Sequence, residues 1–130
     1  MLEATDESLG RLRAKLDELD LADNTIVIFT ADNGGMSASN QYRGINHSRK
    51  QLDSRFASSN LPLRGAKGWN YEGGIRVPLV VYWPGNIKAN STSHTLVTGT
   101  DYYPTLLGML GLPLLPNQHV DGKSFVPALK

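Results

Sequence analysis

The feature that most constrains the fold is a six-residue run, Thr25-Ile26-Val27-Ile28-Phe29-Thr30, that passes directly into Ala31-Asp32-Asn33-Gly34-Gly35. β-Branched and aromatic residues in an unbroken apolar run are the composition of a strand buried on both sheet faces, here a central strand of an α/β sheet. The glycines behind it let the backbone turn sharply. A carboxylate and a carboxamide therefore stand at the carboxyl end of a strand, where open α/β sheets collect their ligands. Asp32 and Asn33 offer the oxygen donors that a hard cation, Ca2+ or Mg2+, prefers. The same pair also suits an Asx turn that closes the strand.

The other segments are legible from spacing and punctuation. Leu2, Leu9, Leu12, Leu16 and Leu19 recur at helical intervals with Arg11, Arg13, Lys15, Asp17 and Glu18 on other faces, which predicts an amphipathic helix. No cap precedes Leu2, as expected of a chain that begins inside a longer protein; a shorter helix capped by Thr5 or Asp6 is the other reading. Residues 36–60 are polar and hold six serines, so they predict a long surface loop. Leu61 to Gly74 is glycine-punctuated, and Val77 to Trp83 reads as a second strand, stopped by Pro84-Gly85, with Pro78 permitted near its start. Asp101 is placed to cap a short helix through Leu110, Gly111 to end it, and the proline-rich stretch from Leu112 to be irregular. No internal repeat and no strong domain boundary is visible. Two strands and two helices are fewer than a complete doubly wound sheet needs, so the parts predict a piece of a larger α/β fold.

Composition removes several functions. Thirteen Lys and Arg against 12 Asp and Glu leave a formal charge of +1, which gives no footprint for nucleic acid or an acidic membrane surface. No apolar run approaches the roughly 20 residues of a membrane span. Zero cysteines exclude disulfides, thiolate metal sites and a cysteine nucleophile.

Lys67 lies between Gly65-Ala66 and Gly68, where an anion can approach its ammonium and the neighbouring amides, although a solvated loop lysine has the same surroundings. Arg64, Glu72 and Arg76 are expected to form an ion-pair lattice that stiffens this loop. His47, His94 and His119 are scattered, none at metal-ligand spacing, and read as surface or hydrogen-bonded histidines. Asn46-His47-Ser48 and Asn90-Ser91-Thr92 match the glycosylation pattern. Trp69, Tyr71, Tyr82 and Trp83 are expected to be core or rim packing, with stacking on a sugar as the alternative.

Taken in order, Thr-Ile-Val-Ile-Phe-Thr-Ala-Asp-Asn-Gly-Gly, Leu-Arg-Gly-Ala-Lys-Gly-Trp-Asn-Tyr-Glu-Gly-Gly-Ile-Arg-Val-Pro, Trp-Pro-Gly and Asp-Tyr-Tyr-Pro-Thr-Leu-Leu resemble the arylsulfatase-type sulfatases of the alkaline phosphatase superfamily. The resemblance covers essentially all of residues 1–130. It implies an α/β fold, a fragment of an alkaline phosphatase-like mixed sheet flanked by helices, from the carboxyl-terminal part of the catalytic domain. It further implies that Asp32 and Asn33 are two ligands of a single Ca2+, with Mg2+ less suited, and that Lys67 is a catalytic residue contacting the sulfate. The implied substrate is a sulfated small molecule or glycan, and the implied location is periplasmic, secreted or lysosomal. A fixed cation and an ammonium suit this chemistry, because a sulfate ester gathers charge on its oxygens as the S–O bond breaks.

The family's nucleophile is a formylglycine made from Cys or Ser in a Cys/Ser-x-Pro-x-Arg motif, and these 130 residues contain neither cysteine nor Ser-x-Pro-x-Arg. The paired aspartates and leaving-group histidines of the family also have no counterpart here. The expectation is a partial catalytic domain, inactive alone. A phosphate or phosphonate ester hydrolase of the same superfamily, and a noncatalytic remnant or glycan-binding module, are the alternatives.

Overall fold

In the computed structural model, which describes residues 2–36, 60–118 and 121–130, the leucine-spaced segment forms helix α1, Leu2–Glu18. It starts ahead of Thr5 and Asp6, so the shorter, capped helix is not the one formed. Asp20 ends it in the left-handed region at φ 54°, with Leu21 N–H donating to Leu16 O at 2.9 Å and Asp20 N–H to Asp17 O at 3.1 Å. This is a Schellman closure.

Strand β1 spans Val27–Thr30 and pairs with β2, Leu79–Tyr82, in a two-stranded sheet. The expected burial on both faces is not reached: Val27, Ile28 and Phe29 are half-buried and Thr30 is exposed. Among the described residues β1 has only β2 as a sheet neighbour, and one neighbour cannot cover a central strand. A single helical turn, α2, Glu72–Ile75, precedes β2. Among the described residues no helix is long and apolar enough to cross a membrane.

The chain divides into two compact units, Met1–Ile26 with Tyr82–Lys130, and Val27–Val81. No boundary was legible because both divisions fall inside apolar strand runs, where composition does not change.

In the first unit, helix α3, Tyr102–Met109, follows a short 3-10 turn at Gly99–Asp101. The sequence places Asp101 to cap this helix, and it occupies the N-cap position, but its side chain makes no cap bond to α3. Thr98 is the N-cap of the 3-10 turn, and Asp101, three residues on, reaches back to it, the reciprocal arm of a capping box. Its Oδ2 accepts from Thr98 N–H at 2.8 Å and from the Thr98 hydroxyl at 3.2 Å, while Oδ1 accepts from Lys123 N–H at 2.8 Å. Thr105, the most buried polar residue described, donates its hydroxyl to Asp101 O at 2.6 Å and accepts from Phe125 N–H at 2.9 Å. Phe125 and Met109 are also buried, and the Tyr102 and Phe125 rings meet edge to face at 5.8 Å. Gly111 ends α3 as expected, at φ 67°, with Leu112 N–H on Leu107 O at 2.9 Å. The tail is less irregular than its prolines suggest, since Val126–Leu129 forms a turn, α4, with Pro127 in a position that needs no N–H.

The backbone N–H of Lys123, and next that of Thr98, hold the Asp101 carboxyl below its ordinary pKa. A depressed folded-state value means that this carboxylate stabilises the fold above the ordinary value, about 4, and that the contribution is lost as pH falls through the depressed one. Asp101→Asn is therefore expected to lower the thermal midpoint at pH 7, with the gap to the unaltered chain closing as pH drops below about 4. Thermal melts across pH 2–7 check this; a pH-independent gap contradicts it.

Candidate functional site

The second unit holds Asp32, Asn33 and Lys67. β1 is tied to the approach of β2 by the Thr30 hydroxyl, which donates to Pro78 O at 2.9 Å, and Asp32 and Asn33 follow on the turn. Asp32 is exposed and Asn33 half-buried. The Asn33 side-chain nitrogen donates to Gly34 O at 3.0 Å. An Asx turn uses the side-chain oxygen as acceptor, so the observed bond is a different one and directs the nitrogen, not the oxygen, to the backbone.

Behind this turn, backbone packs on backbone. Gly34 N–H donates to Gly74 O at 2.8 Å, and Gly73 N–H to Arg64 O at 2.8 Å. A Cβ on Gly34 would collide with the carbonyl oxygen of Gly73, and one on Gly73 with that of Gly65. Only glycine permits this approach. The glycine-rich loop itself turns through left-handed Gly65 and Gly68, φ 84° and 89°, on either side of Lys67.

Lys67 N–H donates to Gly35 O at 3.0 Å. The lysine backbone is thereby fixed to the turn that carries Asp32 and Asn33, while its side chain is exposed. Asn60 adds a clasp that sequence reasoning missed: its side-chain nitrogen donates to Gly35 O at 2.9 Å and to Gly65 O at 3.4 Å. Lying at the end of a polar stretch, Asn60 carries no sequence signal that separates it from its neighbours.

The expected ion-pair lattice forms only in part. Arg76 and Glu72 pair at 3.0 Å, both exposed, but the Arg64 guanidinium lies over the Tyr71 ring, 3.9 Å from its centroid. The four aromatics also divide. Tyr82 and Trp83 are half-buried, with Arg13 over Tyr82 at 4.8 Å and Lys130 over Trp83 at 5.9 Å, whereas Trp69 and Tyr71 are 50% and 41% exposed. His94 is exposed; His47, His119 and the Asn46-His47-Ser48 motif lie outside the described residues. Asn90 is an exposed turn residue at φ 58°.

A carboxylate and a carboxamide adjacent on one turn fit an oxygen-preferring cation by donor chemistry. They are two oxygens of the six to eight that Ca2+ takes, and among the described residues no group of three or more His, Cys, Asp or Glu gathers at one place. A concavity of about 500 Å3 in the first unit, lined by Thr95, Leu96, Asp101, Lys123 and Phe125 among others, includes none of the three residues.

The α/β elements and the ordered turns match a known family: the family model described as Sulfatase covers residues 1–112, and the chain belongs to the sulfatase family. Its relatives include human arylsulfatase A, 39% identical over 124 residues, and human N-acetylgalactosamine-6-sulfatase, 34% identical over 124 residues. Each alignment takes in 95% of this chain but 21% of the relative's length. Among solved structures, Ps i-CgsB in complex with k-i-k-neocarrahexaose superimposes with a TM-score of 0.77 at 32% identity, covering 98% of this chain and 25% of that one. PsFucS1 sulfatase from Pseudoalteromonas sp. gives 0.68 at 33% identity, covering 96% of this chain and 23% of that one. These neighbours bear out the α/β fold of an alkaline phosphatase-like sulfatase.

The loop interlock is expected to be sensitive to one methyl group. Gly34→Ala should cost about 3 kcal/mol, the upper range of overpacking, because the obstacle is backbone. Asn60→Ala should cost about 1 kcal/mol by removing one of the two N–H donors to the Gly35 carbonyl, which Lys67 N–H still reaches. Urea denaturation gives the totals, and both variants should speed hydrogen exchange at the Lys67 amide; unchanged exchange there contradicts the interlock.

Proposed function

We propose that this chain is the part of a sulfuric ester hydrolase that supplies Asp32 and Asn33 to a divalent cation and Lys67 to the sulfate group, with a sulfated glycan as the substrate class. The observation that carries the reading is the bond from Lys67 N–H to Gly35 O, which ties the lysine-bearing loop to the turn holding the two oxygen donors. Ca2+ suits an exposed Asp-Asn pair on a turn better than Mg2+, which demands near-ideal octahedral geometry and retains its waters. When bound, the cation supplies Lewis-acid polarisation of an ester oxygen.

The chain's own residues then do three things. Asp32 and Asn33 hold fixed negative and dipolar oxygen at the strand end. Lys67 presents an ammonium with three donors, a compact charge that can follow an oxyanion as charge builds on it. The glycine interlock keeps both on one rigid backbone, so little reorganisation is required when charge develops. In a chain that also carries the nucleophile, losing a donor of this kind costs about 10²–10³ in rate. The glycan assignment draws on relatives whose names specify a sugar sulfate or an oligosaccharide complex.

Titrating the 15N-labelled chain first with CaCl2 and then with sodium sulfate tests the assignment. Amide shifts are expected at residues 32–35 with Ca2+ and at residues 66–68 with sulfate, with affinities of about 1 mM or weaker because two donors are few. Shifts that avoid both segments overturn it. The same 130 residues, with no cysteine and no Ser-x-Pro-x-Arg, are expected to release no sulfate from an aryl sulfate with or without Ca2+; Lys67-dependent turnover refutes that.

A further inference from the structure

We infer that Trp69, Tyr71 and Arg64 form a sugar platform on the lysine-bearing loop, taking the pyranose ring of an anionic oligosaccharide next to the sulfate held by Lys67. The inference deepens the sulfated-glycan reading above and rests on it for the charge of the ligand. It starts from the exposure of two large rings on one loop. Trp69 and Tyr71 are 50% and 41% exposed, yet their rings stack on each other, centroids 6.1 Å apart at 28°. Large aromatic rings half in water forgo much of the burial that normally holds them in a fold.

The platform is built rather than loose. Trp69 N–H donates to Ala66 O at 2.9 Å, Tyr71 O accepts from Gly74 N–H at 2.8 Å, and Arg64 O accepts from Gly73 N–H at 2.8 Å. A Cβ on Gly65 would stand 3.1 Å from the Tyr71 Cβ and 3.2 Å from that of Trp69, so the stems of both rings converge on one glycine. Trp and Tyr offer wide contact surfaces at low entropic cost, and a preorganised pair loses least on binding. The C–H face of a pyranose is apolar and its hydrogens complement the electron-rich face of an aromatic ring.

Arg64 supplies the charge. Its guanidinium lies over the Tyr71 ring, 3.9 Å from the centroid, which engages the flat face of the group. The N–H donors of guanidinium lie in its plane and remain suited to a sulfate or carboxylate on the sugar, a bidentate match that an ammonium does not make. An aromatic surface alone would suit any apolar partner. A ring pair with a guanidinium on the loop of Lys67 suits an anionic sugar.

Trp69 and Trp83 are the two tryptophans of the chain, so Trp83→Phe leaves Trp69 as the fluorescent reporter. The probes are a sulfated galactan hexasaccharide, its desulfated form and inorganic sulfate. The sulfated hexasaccharide is expected to change Trp69 emission, and inorganic sulfate is not. By calorimetry Trp69→Ala should weaken hexasaccharide binding about tenfold or more, Trp69→Phe should retain most of it, and Arg64→Lys should reduce the preference for the sulfated form about tenfold. Absence of hexasaccharide binding, equal affinity in Trp69→Ala, or a Trp69 signal that follows protein concentration without sugar overturns the inference, the last by pointing to a protein contact. Trp69→Phe guards against a folding defect in the alanine variant. Failure of the sulfate-site reading is separate, since it appears as unmoved amides at residues 66–68 while the Trp69 signal persists.

Discussion

The hydrogen bond from Lys67 N–H to Gly35 O joins positions 32 residues apart, and the geometry of the site depends on it. Closing a loop of that length costs about 3 kcal/mol in chain entropy, while one such bond contributes about 1 kcal/mol net. The bond cannot hold the closure alone. It is accompanied by Gly34 N–H on Gly74 O and by the Asn60 side chain on Gly35 O, and three bonds of that size offset the entropy. Dispersion between backbones at glycine-only distances adds to them. The closure is thus cooperative: removing Asn60 or crowding Gly34 weakens the tether of Lys67 without touching the lysine.

The carboxylates Asp101 and Asp32 have contrasting settings. Asp101 accepts from two backbone N–H groups and a hydroxyl, so its lone pairs are spent on joining the 3-10 turn before α3 to the segment at Lys123. Its depressed pKa measures that commitment. Asp32 stands exposed on a turn tied by Gly34 N–H on Gly74 O and by the side chains of Asn33 and Asn60 on Gly34 O and Gly35 O. The exposure of Asp32 and the commitment of Asp101 favour Asp32 as the proposed cation ligand.

Local chemistry was legible in the sequence and non-local closure was not. The leucine spacing located α1, the β-branched run located β1, and Gly111 located the end of α3, because each signal acts within a few residues. Asp101 was correctly singled out but assigned the wrong capping role, since its partners are Thr98 and the distant Lys123. Arg64 was expected among carboxylates and went to the face of Tyr71. Asn60 was invisible because its two acceptors, Gly35 and Gly65, lie on different segments that the fold brings together. The motif order identified the family where single residues could not, since several weak local signals in one order are jointly specific.

Glycine accounts for the differing fates of the four aromatics. Tyr82 ends β2 and Trp83 follows it, where side chains from α1 and the carboxyl terminus reach them. Trp69 and Tyr71 sit among Gly65, Gly68, Gly73 and Gly74, residues with no side chain to lay across a ring. The glycines that let backbones stack behind the loop add no side chain to these rings, and the Arg64 guanidinium lies over Tyr71. A loop built this way gains a rigid backbone and leaves Trp69 and Tyr71 half exposed. The same absence of side-chain bulk surrounds Lys67, whose side chain is exposed, so the proposed anion contact and the proposed sugar face rest on one compositional choice.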